Sequence, residues 1–105
     1  MAFADNLKKL PSVEHLEKLD LIDATGKVVA TIENKPGQSG SLAVYHYLIQ
    51  EYRAINASAA MEGLTLFAEH TNGAEQNPGK HPNIDRLFSV IEENLSLEAR
   101  IHSRP

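Results

Sequence analysis

The segment "LDLIDATGKVVATIEN", from Leu19 to Asn34, decides the fold of this chain. Two runs of strand-forming residues lie on either side of Ala24-Thr25-Gly26, a tripeptide suited to a tight turn. Apolar residues recur at alternate positions of these runs, at Leu19, Leu21, Val28, Ala30 and Ile32. Because side chains alternate between the two faces of a strand, this pattern puts one face in a core. The segment predicts a β-hairpin over residues 19–34.

The C-terminal segment "LSLEARIH", residues 95–102, shows the same alternation. Its apolar positions are Leu95, Leu97, Ala99 and Ile101. The pattern predicts a half-buried strand that joins the hairpin. We therefore expect an α+β fold, in which a small antiparallel sheet of about three strands is packed by three central helices.

Helical spacing of apolar residues begins before the hairpin. Residues 3–10 show it, and Pro11 ends that turn. Ser12 is then expected to cap a second short helix that carries Val13 and Leu16. These residues predict a short helical entry to the sheet.

The first central helix is predicted over residues 42–53. At 100° per residue it has an apolar side made of Val44, Tyr45, Leu48, Ile49 and Tyr52. Opposite that side, His46, Gln50 and Arg53 form a polar stripe. The stripe is interpreted as the solvent-facing side of the helix, with the wall of a cleft as the alternative.

Two further central helices are expected. One covers residues 57–70, with Asn56 as its N-cap and a C-terminus at Asn72-Gly73. It should bury Ala60, Met61, Leu64, Phe67 and Ala68. The other begins at Asn83 and should bury Ile84, Leu87, Phe88, Val90 and Ile91. A long polar loop, residues 72–82, is left between them, and such loops are often functional.

Composition limits what the chain can be. A length of 105 residues suits a single domain over residues 1–105, which can bury roughly 60–70% of its unfolded surface. Cysteine is absent, which excludes disulfides, thiolate nucleophiles and Cys-ligated zinc. The net charge of −4 argues against nucleic acid or an anionic membrane as a partner. No apolar run suits a signal peptide or membrane span, so a cytoplasmic location is expected.

The loop "ENKPGQSGSLAVYH", Glu33 to His46, has the outline of a phosphate-binding loop or of a serine nucleophile turn. Neither motif is complete. A P-loop needs its lysine after the second glycine, whereas Lys35 precedes both glycines. The serine motif G-x-S-x-G fits Ser39 but requires glycine where Ser41 stands. The simplest interpretation is therefore a turn in which Ser39 or Ser41 caps the following helix.

A second loop, "NPGKHPNIDRL", also brings basic residues to the start of a helix. If the two loops are adjacent, their backbone N–H groups and side chains could bind one anion. The residues of this hypothetical site are Lys35, Ser39, Gly40, Ser41, Lys80 and His81, with His46 overlooking the first loop. The sequence does not indicate whether loops 34–41 and 72–82 meet.

The histidines do not predict a metal site. They are His15, His46, His70, His81 and His102, and no two of them have the i, i+4 spacing of a helical metal site. His70 is interpreted as a favourable cation near a helix C-terminus. We expect no metal and no cofactor.

The segments "IENKPGQSGSLAVYH" and "NPGKHPNIDRL" together resemble a family of small, uncharacterised bacterial proteins, a domain of unknown function. The resemblance covers most of the chain. It implies a bacterial, cytoplasmic, stand-alone protein, and it carries no activity or catalytic residue to transfer.

The residues favour a non-catalytic binding protein that contacts a protein or a small anionic ligand through loops 34–41 and 72–82, because no nucleophile, base and oxyanion donor can be assembled. The alternative is a small enzyme on a phosphorylated or carboxylated substrate, with His46 or His81 as the acid or base. A short sheet with open edges could also be closed by a second copy in a two-fold homodimer.

Overall fold

The computed structural model describes residues 2–105 and contains one antiparallel sheet. Its strands are β1 (Leu16–Ile22), β2 (Val28–Glu33) and β3 (Glu98–Ser103), and their order in the sheet is β2-β1-β3. The hairpin forms because Asp23 builds its turn. The Oδ1 atom of Asp23 accepts hydrogen bonds from the backbone N–H groups of Thr25 at 2.9 Å and Lys27 at 3.1 Å. The predicted hairpin and the third strand are therefore confirmed.

Both ends of the predicted sheet need correction. Leu16 begins β1, pairs with Ser103 and is buried, so the second short helix that Ser12 was expected to cap is wrong. At the other end, β3 begins at Glu98 rather than Leu95, because Leu97 pairs with Ile55 in a separate bridge. Alternation shows which residues prefer a core, but it does not show which strand they pair with.

Five helices lie in the described part of the chain. They are α1 (Phe3–Lys9), α2 (Ser39–Tyr52), α3 (Ala57–Phe67), α4 (Glu69–Gln76) and α5 (Pro82–Glu93). Helix α2 packs on β1 and β2, and α3 packs on both α2 and α5. The core contains Leu19, Leu21, Ile32, Leu42, Val44, Tyr45, Leu48, Ile55, Leu87 and Val90, all without exposed surface. The α+β class is confirmed.

The predicted helix over 57–70 is in fact two helices. Its N-cap is confirmed, since Asn56 Oδ1 accepts the Ala59 N–H at 2.9 Å. The helix then breaks at Ala68, which has a φ of 52°. Thr71 stabilises the new direction by donating its hydroxyl to the Leu64 carbonyl at 2.6 Å. Helix α4 follows the break, so a C-terminus at Asn72-Gly73 is wrong and the loop before α5 contains only residues 77–81.

Three smaller predictions about the helices are also wrong. Met61 was expected in the core, but 62% of its surface is exposed. The last helix was expected to begin at Asn83, but α5 begins at Pro82, with His81 at its N-cap position. Neither serine caps α2, which has Gln38 at its N-cap position and no side-chain cap. Gln38 instead accepts the backbone N–H of Glu33 through Oε1, at 3.2 Å.

The sheet is open at both edges, since β2 and β3 each pair only with β1. Ile101 on β3 is 38% exposed. A homodimer closed along one of these edges stays a prediction. Among the described residues, no helix has the length and apolar character needed to cross a membrane.

Candidate functional site

A cavity of about 660 Å³ lies where the starts of α2 and α5 come together. Residues of both predicted loops line it, so the segments around Gly37 and Lys80 are adjacent in the fold. Helix α1 and the junction of α3 with α4 complete its walls. The lining residues are Phe3, Leu7, Thr31, Gly37, Gln38, Gly40, Ser41, Phe67, His70, Lys80, His81, Pro82, Asn83, Ile84 and Arg86.

The charge on the walls of this cavity is positive. Lys80 and Arg86 line it, and within the described residues no carboxylate does. The Arg86 guanidinium is half-buried, and its Nη1 donates to the Asn83 side-chain oxygen at 2.9 Å and to the Tyr45 hydroxyl oxygen at 3.2 Å. Both acceptors are neutral, and Arg86 forms no ion pair with a described residue, although Asp23 lines a second cavity together with it. A half-buried cation without a counterion is unusual, because burial removes part of its hydration.

Tyr45 fixes this arginine between α2 and α5. Its side chain is fully buried, and its hydroxyl donates to the backbone carbonyl of Asn83. Burial raises the pKa of Tyr45 to about 12, although the nearby Arg86 acts in the opposite direction. The hydroxyl therefore stays neutral at physiological pH and remains available as a hydrogen-bond partner.

Two imidazoles form another part of the wall. The rings of His70 and His81 have centroids 5.8 Å apart. His70 also meets Phe3 edge-on at 5.1 Å, and Phe3 stacks on Phe67 at 5.3 Å. The four rings thus form a row that begins with the two basic imidazoles and ends with the two apolar phenylalanine rings.

Local backbone geometry brings these groups together. Gly37 has a φ of 88°, a left-handed conformation that turns the chain from β2 towards α2. Gly40 allows α1 to come close, since a Cβ atom there would lie 3.2 Å from the Phe3 ring. The backbone N–H of Phe3 donates to Glu69 Oε1 at 2.8 Å, which ties α1 to α4. The cavity is thus bounded by helix ends rather than by long loops.

The predicted site residues separate into two groups. Gly40, Ser41, Lys80 and His81 all line the cavity. The remaining three do not. Lys35 pairs with Glu33 at 2.9 Å on the surface, with both side chains more than half exposed. Ser39 lines a separate cavity of about 340 Å³.

His46 is the third residue outside the cavity, and its expected solvent exposure is wrong. Only 5% of its surface is exposed, and its ring meets that of His15 edge-on at 6.1 Å. Nε2 of His46 lies 3.1 Å from the Gln50 amide nitrogen, whereas Nδ1 has no hydrogen-bond partner. Burial, with a smaller contribution from His15, lowers the pKa of His46. The helix periodicity could not predict this burial, because His15 belongs to a distant segment.

Sequence reasoning missed Arg86 and His70. Arg86 lies near the start of α5, where the macrodipole disfavours a cation, and that position could have marked it. His70 was assigned to a helix C-terminus, but it lies in the first turn of α4. The break at Ala68 could not be read from the sequence, because alanine favours helices.

The described residues contain no group of three or more His, Asp or Glu side chains arranged to hold a metal ion. His70 and His81 are the nearest such pair in the cavity. The cavity thus brings two cationic side chains, Lys80 and Arg86, to the same walls as the imidazoles of His70 and His81.

Comparison with known proteins gives one match. The model of a protein family described as "Uncharacterized protein conserved in bacteria (DUF2322)" matches residues 3–101. This match confirms the resemblance noted in the two loop segments. No curated protein and no solved structure matches the chain.

Proposed function

The chain belongs to the DUF2322 family of uncharacterised bacterial proteins, and from the geometry of its cavity we propose that it binds a small anionic ligand between the starts of α2 and α5. The observation that carries the proposal is Arg86. Its half-buried charge has only neutral partners, Asn83 and Tyr45, and it lines a cavity without carboxylates among the described residues. An anion would supply the missing counterion.

Lys80 adds a second positive charge to the same cavity, and it lies next to His81 in the loop before α5. The ammonium of a lysine is a mobile point charge, whereas a guanidinium is rigid and can donate two hydrogen bonds in parallel. Together they suit a phosphate or a carboxylate that enters from solvent. Backbone N–H groups at the start of α2, near Gly40 and Ser41, would add weaker donors.

The test is a titration with inorganic phosphate, followed by chemical-shift changes of backbone amides in the ¹⁵N-labelled protein. We expect the largest changes at Gly40, Ser41 and His81. The Lys80→Gln variant should bind phosphate about tenfold more weakly, which corresponds to about 1.4 kcal/mol. Lys35→Gln is the matched control, because it removes the same charge from the other loop but outside the cavity.

Two results would overturn the proposal. One is the absence of shift changes near the cavity at phosphate concentrations in the millimolar range. The other is an equal loss of affinity in Lys80→Gln and Lys35→Gln, which would mean that only net charge matters. After either result we would propose instead that the two loops bind a protein, which the sequence also suggested.

Catalysis is the second candidate function, and one observation favours it. His81 lines the cavity close to His70, so it could act as an acid or base on a bound phosphate ester. His46 lies outside the cavity, so we do not propose it as the acid or base. The catalytic hypothesis would be supported if the protein releases inorganic phosphate from p-nitrophenyl phosphate and if His81→Gln abolishes this activity. Tight binding without turnover would support a binding protein.

A further inference from the structure

The cavity has two chemically different walls. Lys80, Arg86, His70 and His81 make the basic wall, as described above. The apolar wall consists of Phe3 and Leu7, which are half-buried, and of Phe67 and Ile84, which have almost no exposed surface. We propose that the ligand is an aryl phosphomonoester, whose phosphate contacts the basic wall and whose aromatic ring lies against Phe3; this inference rests on the proposed anion binding.

The volume of the cavity argues against a bare inorganic anion as the natural ligand. At about 660 Å³ the cavity is in the range of sites that hold organic molecules. An inorganic phosphate would contact the basic wall only and would leave the exposed parts of Phe3 and Leu7 in contact with water. Covering that wall adds favourable burial of apolar surface.

The number of basic groups favours a phosphate over a carboxylate. Four basic side chains line the cavity, and two of them, Lys80 and Arg86, are cations at neutral pH. A carboxylate has one negative charge, whereas a phosphomonoester carries about 1.5 to 2 negative charges at pH 7 and has three acceptor oxygens. The phosphomonoester therefore matches the donors more completely.

Phe3 is the residue that selects an aromatic group. Its ring is half-buried, stacked on Phe67 at 5.3 Å and edge-on to His70 at 5.1 Å. The remaining exposed part of the ring lines the cavity. Aromatic pairs prefer offset-stacked or edge-to-face contacts, and a ligand ring could add one more member to this row.

Two hydrogen bonds position helix α1, and with it Phe3, beside the cavity. Its backbone N–H is bound to Glu69, and Asn6 on the same helix donates its side-chain amide to the Leu66 carbonyl at 2.9 Å. A Cβ atom at Gly40 would lie 3.2 Å from the tip of the ring, so the start of α2 comes close to it. Helix α1 is therefore held at both the α3 and the α4 side of the cavity.

The experiment compares three probes by calorimetric titration of the full chain: phenyl phosphate, methyl phosphate and benzoate. We expect phenyl phosphate to bind about tenfold more tightly than methyl phosphate, because only the phenyl group reaches Phe3. Benzoate should bind more weakly than phenyl phosphate. In Phe3→Leu the preference for phenyl over methyl phosphate should fall to about threefold or less, with little change for methyl phosphate.

Phe88→Leu is the matched control, since Phe88 is also half-buried but does not line the cavity. It should keep the preference for phenyl phosphate. Thermal unfolding of both variants checks that each is folded, and Leu7→Ala serves as a second cavity variant if Phe3→Leu does not fold.

Equal affinities for phenyl and methyl phosphate would overturn this inference and leave anion binding intact. If benzoate binds more tightly than phenyl phosphate, the cavity prefers a carboxylate, and the inference is also overturned. Failure of all three probes to bind would instead contradict the proposed function itself.

Discussion

Helix α2 has two differently packed ends. Its C-terminal half crosses α3, where Leu48 has no exposed surface and lies against Gly63. Its N-terminal turn faces α1, where Gly40 contacts Phe3 but a cavity of about 660 Å³ remains. The close-packed end fixes α2, α3 and α5 as one scaffold. The open end uses that scaffold to hold a row of basic and aromatic groups around the cavity, and the proposed binding site rests on this arrangement.

The largest effect on stability should come from adding a methyl group at the close-packed end of α2. In Gly63→Ala, the new Cβ would lie 2.8 Å from Leu87 Cδ1 and 2.9 Å from Leu48 Cδ1. Both leucines are fully buried, so neither can move into free space. After the gain in helix propensity, we expect a net loss of about 2 kcal/mol in the free energy of unfolding. Urea denaturation measures it.

Gly73→Ala is the control for that variant. Gly73 is also inside a helix, but its Cβ would meet His81 Nε2 at 3.6 Å, an ordinary contact. The gain in helix propensity should therefore stabilise the protein by up to about 1 kcal/mol. If Gly63→Ala is as stable as Gly73→Ala, the contrast between the two ends of α2 is wrong.

His46 lies between the two ends and should give the next largest effect. His46→Ala removes a buried ring and should cost about 1 kcal/mol. His46→Leu should cost less, since it fills the space and removes Nδ1, which has no partner. If the leucine variant is the less stable of the two, then Nδ1 has a partner that stabilises the fold.

The same residue predicts a pH dependence. Burial lowers the pKa of His46, so the folded chain keeps it neutral while the unfolded chain takes up a proton below about pH 6.5. The free energy of unfolding should be unaffected by His46 above pH 7 and should fall as the pH drops from there towards the lowered pKa. His46→Leu should reduce this slope in urea denaturation series. An identical slope in both proteins would mean that His15 or other groups cause it.

A smaller effect on stability, but a clear one on binding, is expected at the open end. In Gly40→Ala, the new Cβ would lie 3.2 and 3.3 Å from two atoms of the Phe3 ring, which is half-buried and can shift. The gain in helix propensity should roughly offset that contact, so stability should change by less than about 1 kcal/mol. Affinity for phenyl phosphate should fall more than affinity for methyl phosphate. Equal losses would place Phe3 outside the ligand contact.

The smallest effect is expected at Lys35. Its ion pair with Glu33 lies on the surface, where such pairs contribute about 0 to 1 kcal/mol. Lys35→Gln should therefore change the free energy of unfolding by less than about 0.5 kcal/mol. A larger loss would show that the first loop is more than a turn leading into α2.

The sequence predicts the hairpin well because two local signals agree there, the alternation of apolar residues and the turn tripeptide Ala24-Thr25-Gly26. It predicts the second central helix poorly, because the backbone of Ala68 adopts a conformation that its side chain does not favour. That break moves His70 from a helix end to the cavity wall. The meeting of the two loops is set by α3, which packs on both α2 and α5, and no local pattern encodes it.

The burial of His46 also depends on a contact between distant segments, which local patterns do not encode. A helical wheel separates one face of α2 from the other, but a second segment can cover the polar face, as the loop with His15 does. Arg86 was missed for a related reason. Its importance depends on its having no ion-pair partner among the described residues, which only the fold reveals.

The hydrogen bond between Tyr45 and Arg86 has a practical consequence for spectroscopy. The chain contains three tyrosines and no tryptophan, so its near-ultraviolet absorbance and fluorescence come mainly from tyrosine. Tyr47 and Tyr52 both interact with Glu62, away from the cavity. Only Tyr45 is bonded to a cavity residue, so a ligand that draws the guanidinium away would change the environment of a single chromophore. The protein thus carries an intrinsic optical reporter, and binding can be followed without an added label.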